Sequence, residues 1–212
     1  MTTILNVNPK APEPELIDQA AQYVLQGEVV VYPTETIYGL GADVLNRKAV
    51  KKIYELKQRD YGLPIALLVA DIAMLKEYTT EIPERAFALI RRFWPGPLTI
   101  LFEVNSKMPK GLVTNTNKIG VRISSHPVAA ALVAKVGRPI TTTSANLSDY
   151  PPSLNARHVQ KFFGEKISCI LNGGECEPSR GSTVVDVTDE SMRIIRAGSV
   201  SIEEVIQVFQ NN

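Results

Sequence analysis

Two histidines and two cysteines are all the chain carries of the side chains that most often hold metals or act as nucleophiles. His126 and His158 stand at no metal-ligand spacing from Cys169 and Cys176, and the two cysteines match no zinc pattern. Two cysteines in 212 residues are also too few for a disulfide scaffold, and burial is the ordinary fate of such thiols. No metal-ligating residue is assigned. There is no Walker A loop and no Gly-x-Ser-x-Gly elbow, and Gly39-Leu40-Gly41 lacks the third glycine of a dinucleotide fingerprint. No apolar run approaches the roughly 20 residues of a membrane span, so a helical membrane protein is not expected. Residues 1–5 carry neither the basic nor the apolar region of a signal peptide. The expected location is the reduced cytoplasm. Charge of one sign is missing too: a net charge of +1 excludes a chain that binds nucleic acid by bulk charge and leaves a local basic groove open.

What is present belongs to an ordinary globular protein, 44% hydrophobic and 21% charged. An apolar stripe of Leu16, Ile17, Ala20, Ala21, Val24 and Leu25 predicts a helix over 15–26, stopped by Gly27. Further helices are expected over 48–57, from an Asp71 cap through Tyr78, from Pro83 in its first turn through Phe93, over 127–136 closed by Gly137, over 155–163, and over 201–209 with a Ser201…Glu204 capping box. Strands are expected over 29–32, 65–69, 98–104 and 119–123, from Pro139 onward, and over 167–171, 183–187 and 193–196. The alternation predicts an α/β fold, one twisted, open, mixed sheet with helices on its faces. No repeat, low-complexity segment or linker divides it.

The least ordinary stretch runs over 29–41: a valine strand cut by Pro33, then Thr34-Glu35-Thr36, then Tyr38 and two glycines. Proline ends a ladder there, and glycine allows unusual backbone or a close ligand. It reads as a strand that turns and restarts, or as one that delivers a polar loop to a pocket. Other polar groups also stand at the ends of apolar strands: Thr142, Ser144 and Asn146 after Pro139, and Thr183 later. Cations are interleaved with them, namely Lys57 and Arg59 after a helix, Arg122 in an apolar strand, and Arg196 after Ile194-Ile195. Arg122 projects from the face opposite Ile119, Val121 and Ile123. It is either a surface arginine or a fork for a carboxylate or phosphate. Together these groups suit a small polar ligand and a polyphosphate, with catalysis by positioning and charge stabilisation.

These residues also carry a resemblance. Pro33-Thr34-Glu35-Thr36-Ile37-Tyr38-Gly39-Leu40 resembles the PTET-Y-GL segment of the YrdC/TsaC family, the L-threonylcarbamoyladenylate synthases. Lys57-Gln58-Arg59 is similar to its K-x-R motif, and Ser144-Ala145-Asn146 to its S-x-N motif. Phe93 to Thr99, Gly120-Val121-Arg122 with His126-Pro127, Ser182 to Asp186, and Arg196-Ala197-Gly198 resemble further family segments in the same order. The resemblance implies a single YrdC-like domain over 1–212, of the type without an added C-terminal domain. It implies a YrdC/RibB-like fold around a basic groove, and synthesis of L-threonylcarbamoyl-AMP from L-threonine, bicarbonate and ATP with release of pyrophosphate. By position, Thr34, Arg122, Thr142 and Thr183 would hold threonine. Lys57, Arg59, Ser144, Asn146 and Arg196 would hold ATP with its Mg2+, and Lys57, Arg59, Ser144 and Asn146 would carry the catalysis. A TsaD-type partner would pass the threonylcarbamoyl group to tRNA.

Three positions depart from the family pattern: Leu63, Ser124 in place of a common proline, and Asp149 in place of a common glycine. Two other readings stand beside the synthase. One is a module that binds tRNA or double-stranded RNA without chemistry, favoured by salt-sensitive affinity that survives Thr34→Val. The other is a paralogue with another acceptor or carbamoyl donor, against which the intact K-x-R and S-x-N pairs count.

Overall fold

The computed structural model of the chain describes residues 1–61, 63–109, 112, 116–148 and 150–211. Asp149, one of the departures, lies outside the described residues. In chain order the elements are β1 (Thr3–Asn6), α1 (Pro14–Leu25), β2 (Val30–Tyr32), β3 (Gly39–Gly41), α2 (Arg47–Lys57), β4 (Leu67–Leu68), α3 (Ile72–Tyr78), α4 (Glu84–Phe93) and β5 (Leu98–Glu103). There follow β6 (Lys118–Arg122), α5 (Pro127–Val136), β7 (Ile140–Thr141), β8 (Thr143–Ser144), α6 (Ala156–Phe163), β9 (Cys169–Asn172), β10 (Thr183–Asp186), β11 (Arg193–Arg196) and α7 (Ile202–Gln210).

Local chemistry sets the helix ends. Asn46 Oδ1 accepts from the N–H groups of Lys48 and Ala49 at the start of α2, and Asp71 Oδ1 accepts from Met74 N–H at the start of α3. Ser201 Oγ accepts from Glu204 N–H and opens α7. Gly27 and Gly137 stop α1 and α5 in the left-handed region, at φ +84 and +71. Pro83 is the residue before α4 rather than part of its first turn.

The mixed α/β architecture is the expected one, but its hydrogen bonds divide into two sheets rather than one. Five strands run β1-β9-β2-β3-β8, and six run β11-β10-β5-β6-β4-β7. Both mix parallel and antiparallel pairs. The expected strand after Pro139 is therefore two strands. β7 pairs with β4 in the larger sheet and β8 with β3 in the smaller. The chain changes sheets at Thr142, whose N–H donates to Ala66 O at 2.8 Å, while Thr141 N–H reaches Ala42 O at 2.9 Å. β4 is shorter than expected because only Leu67 and Leu68 find ladder partners, in β6 and β7.

Two hydrophobic clusters hold the layers. Val29 and Val31 face the larger cluster, which holds Trp94, Phe102, Ile119 and Val121, while Val30 and Tyr32 face the smaller. β2 is thus buried on both sides, as its continuous apolar run implies. The smaller cluster packs α1 and α5 on β2 and β9 through Ala20, Val24, Leu132 and Val133. Each such fully buried branched side chain contributes about 1.5–3 kcal/mol. The two glycines of the 29–41 stretch belong to a strand, β3, which pairs back on β2. Gly41 is needed there because a Cβ would lie 2.7 Å from the Tyr32 ring.

Candidate active site

One face of the larger sheet is the floor of a cleft of about 1080 Å³. Alternation places Lys118, Gly120 and Arg122 of β6, and Thr99 and Leu101 of β5, on that floor, while Ile119, Val121, Ile100 and Phe102 fill the core behind it. Gly120 lets the strands close up, since a Cβ would lie 2.9 Å from Thr99 Cγ2. The walls come from the end of α2, the Thr142–Ser148 region, the segment 179–182 before β10, and β11. Among the described residues, six cations line the cleft (Lys57, Arg59, Lys118, Arg122, Arg180 and Arg196), against one acid, Asp60.

Lys57 closes α2 and is 4% exposed. Its Nζ donates to Ser144 O at 2.7 Å and Asn146 O at 2.9 Å, with Asn146 Oδ1 at 3.3 Å and Ser144 Oγ at 3.4 Å. Burial, and then the neighbouring Arg59, lower its pKa to about 8. Ser148 ties the two segments from the other side, donating from both N–H and Oγ to Lys57 O. The K-x-R and S-x-N segments are therefore one hydrogen-bonded unit. Gln58, between Lys57 and Arg59, takes a left-handed φ of +50, which turns the chain out of α2.

Arg122 is buried at 5% exposure, so it is no surface arginine. Its Nη1 donates to Glu35 Oε1 at 2.5 Å and its Nη2 to Thr142 Oγ1 at 3.2 Å. Arg196 Nη2 donates to Ser182 O at 2.8 Å and Ser182 Oγ at 3.2 Å. Burial, then Arg122 and Arg59, push its pKa down. Gly198 is required beside it, because a Cβ would meet Ser182 C at 2.3 Å and Thr183 N at 2.4 Å.

Lys57, Arg59, Arg122, Thr142, Ser144, Asn146 and Arg196 thus border one cleft. Thr34 and Thr183 do not. Thr34 Oγ1 donates to Ile37 O at 2.7 Å and accepts from the N–H groups of Thr36 and Ile37, so it folds its own loop. Thr183 Oγ1 donates to Val200 O at 2.6 Å and accepts from Val200 N–H. The 29–41 stretch still reaches the cleft, through Thr36, Ile37, Tyr38 and Gly39. Lys118, Thr36, Arg180 and Ser182 also line it; Thr36 and Ser182 lie within the motifs without an assigned role, and Lys118 and Arg180 lie outside them. For Lys118 a signal exists, since it shares the strand parity of Arg122.

The buried cysteines carry no site. Burial pushes the Cys169 thiol up to about 12, and pushes the Cys176 thiol up to about 11. No group of three His, Cys, Asp or Glu able to hold a metal exists among the described residues. Mg2+ takes oxygen ligands, usually one or two carboxylates with substrate phosphates and water. The oxygen donors beside the cleft's cations are hydroxyls, an amide and the single carboxylate of Asp60, so among the described residues no set of protein ligands would hold a magnesium without a substrate's phosphates.

A basic, hydroxyl-lined cleft on a mixed α/β sheet is chemically suited to an anionic ligand. The chain belongs to the Sua5/YciO/YrdC family, whose model, described as "Telomere recombination", matches residues 22–198. It is 38% identical to the threonylcarbamoyl-AMP synthase of Pyrococcus abyssi over 99% of this chain and 61% of that one. The same-named protein of Bacillus subtilis is 39% identical over 91% and 56%. The chain therefore spans about three-fifths of the length of these relatives. The crystal structure of P. abyssi Sua5 complexed with L-threonine superposes with a TM-score of 0.93, covering 98% of this chain and 61% of that chain at 38% identity.

Proposed function

We propose that the chain makes L-threonylcarbamoyl-AMP from L-threonine, bicarbonate and ATP. The observation that carries the reading is two cationic groupings in one cleft: the Arg122–Thr142 pair on the floor, and the Lys57–Ser144–Asn146 unit with Arg59 and Arg196 on the walls. The likeness to a Sua5 structure with L-threonine bound supports it. Arg122 takes the threonine carboxylate and Thr142 lies beside it. Lys57, Arg59, Ser144, Asn146 and Arg196 take the phosphates of ATP, and Mg2+ arrives with the nucleotide. The threonine amine and bicarbonate give the N-carboxylate with loss of water. A carboxylate oxygen then bonds to the α-phosphorus, and the bond from that phosphorus to the bridging oxygen breaks toward pyrophosphate. The protein supplies alignment and positive charge, the main demands of such transfers.

Thr34 and Thr183 act indirectly, by holding the loops that carry Thr36 and Ser182. The product, a mixed anhydride, passes to a TsaD-type transferase that modifies tRNA. The test is pyrophosphate release by the purified chain. It is expected only when ATP, threonine and bicarbonate are all present, and equal release without threonine refutes the reading. For the RNA-binding alternative the discriminating position is Thr142 rather than Thr34, whose hydroxyl is internal. RNA affinity that survives Thr142→Val, with no threonine-dependent chemistry in the parent chain, favours that alternative.

A further inference from the structure

Glu35 has no place in the reading so far, yet it is tied to Arg122. Its side chain is 14% exposed, and it is not among the residues that border the cleft. One carboxylate oxygen, Oε1, accepts from Arg122 Nη1 at 2.5 Å, and the other accepts from Ser124 Oγ. Ser124 is itself 2% exposed and accepts from His126 N–H at 3.1 Å, at the turn that starts α5. From the other side Thr142 Oγ1 holds Arg122 Nη2 at 3.2 Å. A guanidinium is a rigid plane with five N–H donors. Here one donor on each terminal nitrogen is already engaged, so the plane cannot pivot without breaking a contact.

We infer that Glu35, anchored by Ser124, is a positioning residue that fixes the Arg122 fork for a substrate carboxylate. This rests on the reading of the cleft as an amino-acid site. The acid also matches the charge of an arginine that would otherwise stand buried and unpaired. Ser124, one of the departures from the family pattern, takes part through its hydroxyl, which holds the outer oxygen of Glu35. A residue whose part is only to fill space would leave the Arg122 signal unchanged when it is shortened and would be indifferent to loss of the Ser124 hydroxyl. A positioning residue is rescued by glutamine, which keeps an acceptor toward Arg122 and keeps the length of the side chain.

The test measures threonine and ATP affinity by calorimetry for the parent chain, Glu35→Gln, Glu35→Ala and Ser124→Ala. It also follows the Arg122 Nε–H signal by NMR, assigned by its loss in Arg122→Lys. Glu35→Ala is expected to weaken threonine binding about tenfold and to broaden the Arg122 signal. Glu35→Gln is expected to stay within about threefold with a sharp signal, and Ser124→Ala to fall between the two. ATP affinity is expected to stay within about twofold throughout, which shows that each variant is folded. Equal losses in Glu35→Gln and Glu35→Ala, or a signal unchanged in Glu35→Ala, overturn the inference. A parent chain that binds no threonine but shows the Glu35-dependent signal overturns the functional reading and upholds the fixing of Arg122.

Discussion

Lys57→Met separates what the cleft needs for folding from what it needs for chemistry. Burial, and then Arg59, take the Lys57 ammonium from an ordinary 10.5 to about 8. That makes its charged form about 3 kcal/mol less favourable in the fold than in the unfolded chain. Methionine removes this cost with a side chain of similar length. It also leaves Ser144 O and Asn146 O without their donor, at about 1–1.5 kcal/mol each. The two effects nearly offset, so stability near neutral pH is expected to change by less than about 1 kcal/mol. ATP-dependent pyrophosphate release is expected to fall about 100-fold or more, because a positive charge in the cleft wall is lost and the Ser144–Asn146 segment loses its tie to α2. The pH dependence has a definite sign. Between about 8 and 10.5 the unfolded chain holds a proton at Lys57 that the folded chain has released, so stability rises with pH there. The parent is therefore expected to gain about 3 kcal/mol over Lys57→Met from about pH 8 to 10.5. Urea denaturation at several pH values reads this difference. A flat difference refutes the account of Lys57 as a buried, costly ammonium. A loss above about 3 kcal/mol near pH 7 makes the residue structural first.

Asp186 is the converse case. Burial opposes its ionisation, but hydrogen bonds from Thr188, Lys118 and Arg193 hold its carboxyl down to about 2. Asp186→Asn is expected to cost about 2 kcal/mol at neutral pH, with the difference fading as pH falls from about 4 to 2; acid titration of denaturation midpoints reads it. Gly198→Ala is expected to cost about 3 kcal/mol and to weaken ATP binding, since its Cβ would drive into the backbone at Ser182 and Thr183 and displace Arg196; thermal unfolding and nucleotide titration check this. Thr34→Val is expected to cost about 2 kcal/mol of stability and leave threonine affinity within a few-fold, and Thr142→Val to do the reverse, about tenfold in KM with little stability change. Exchange of those two outcomes would place the amino-acid contact at Thr34.

Much of the fold was legible because it follows from local chemistry. The helix stripes, Gly27, Gly137, the Asp71 cap and the Ser201 cap act over a few residues, and the structure places each within a residue or two. The sheets were less legible because their boundaries depend on distant partners. β1 is short and half exposed, and it becomes a strand only because β9 lies alongside it. Thr141-Thr142-Thr143 reads as one β-branched run. Its division between two sheets follows from Ala42 on one side and Ala66 on the other, both far beyond any local window along the chain. Nothing in the run itself marks the break.

The site shows the same division at the level of single side chains. Strand parity foretells that Arg122 faces away from Ile119 and Val121, and the structure puts it on the cleft floor. Parity says nothing about a threonine at a strand end, where the hydroxyl can face a ligand or the backbone beside it. Thr142 and Thr34 differ in that respect. Thr142 sits at the crossing between sheets, its N–H bound to Ala66 and its hydroxyl left to meet Arg122. Thr34 sits in a turn after Pro33, where its hydroxyl closes on Ile37 as short hydroxyl side chains do in turns. The same turn throws Glu35 backward onto Arg122 and presents Thr36 to the cleft. The Pro33–Thr36 stretch is thus a turn that borders the pocket through Thr36 alone, because the turn is what aims Thr36 at the cleft and Glu35 at Arg122.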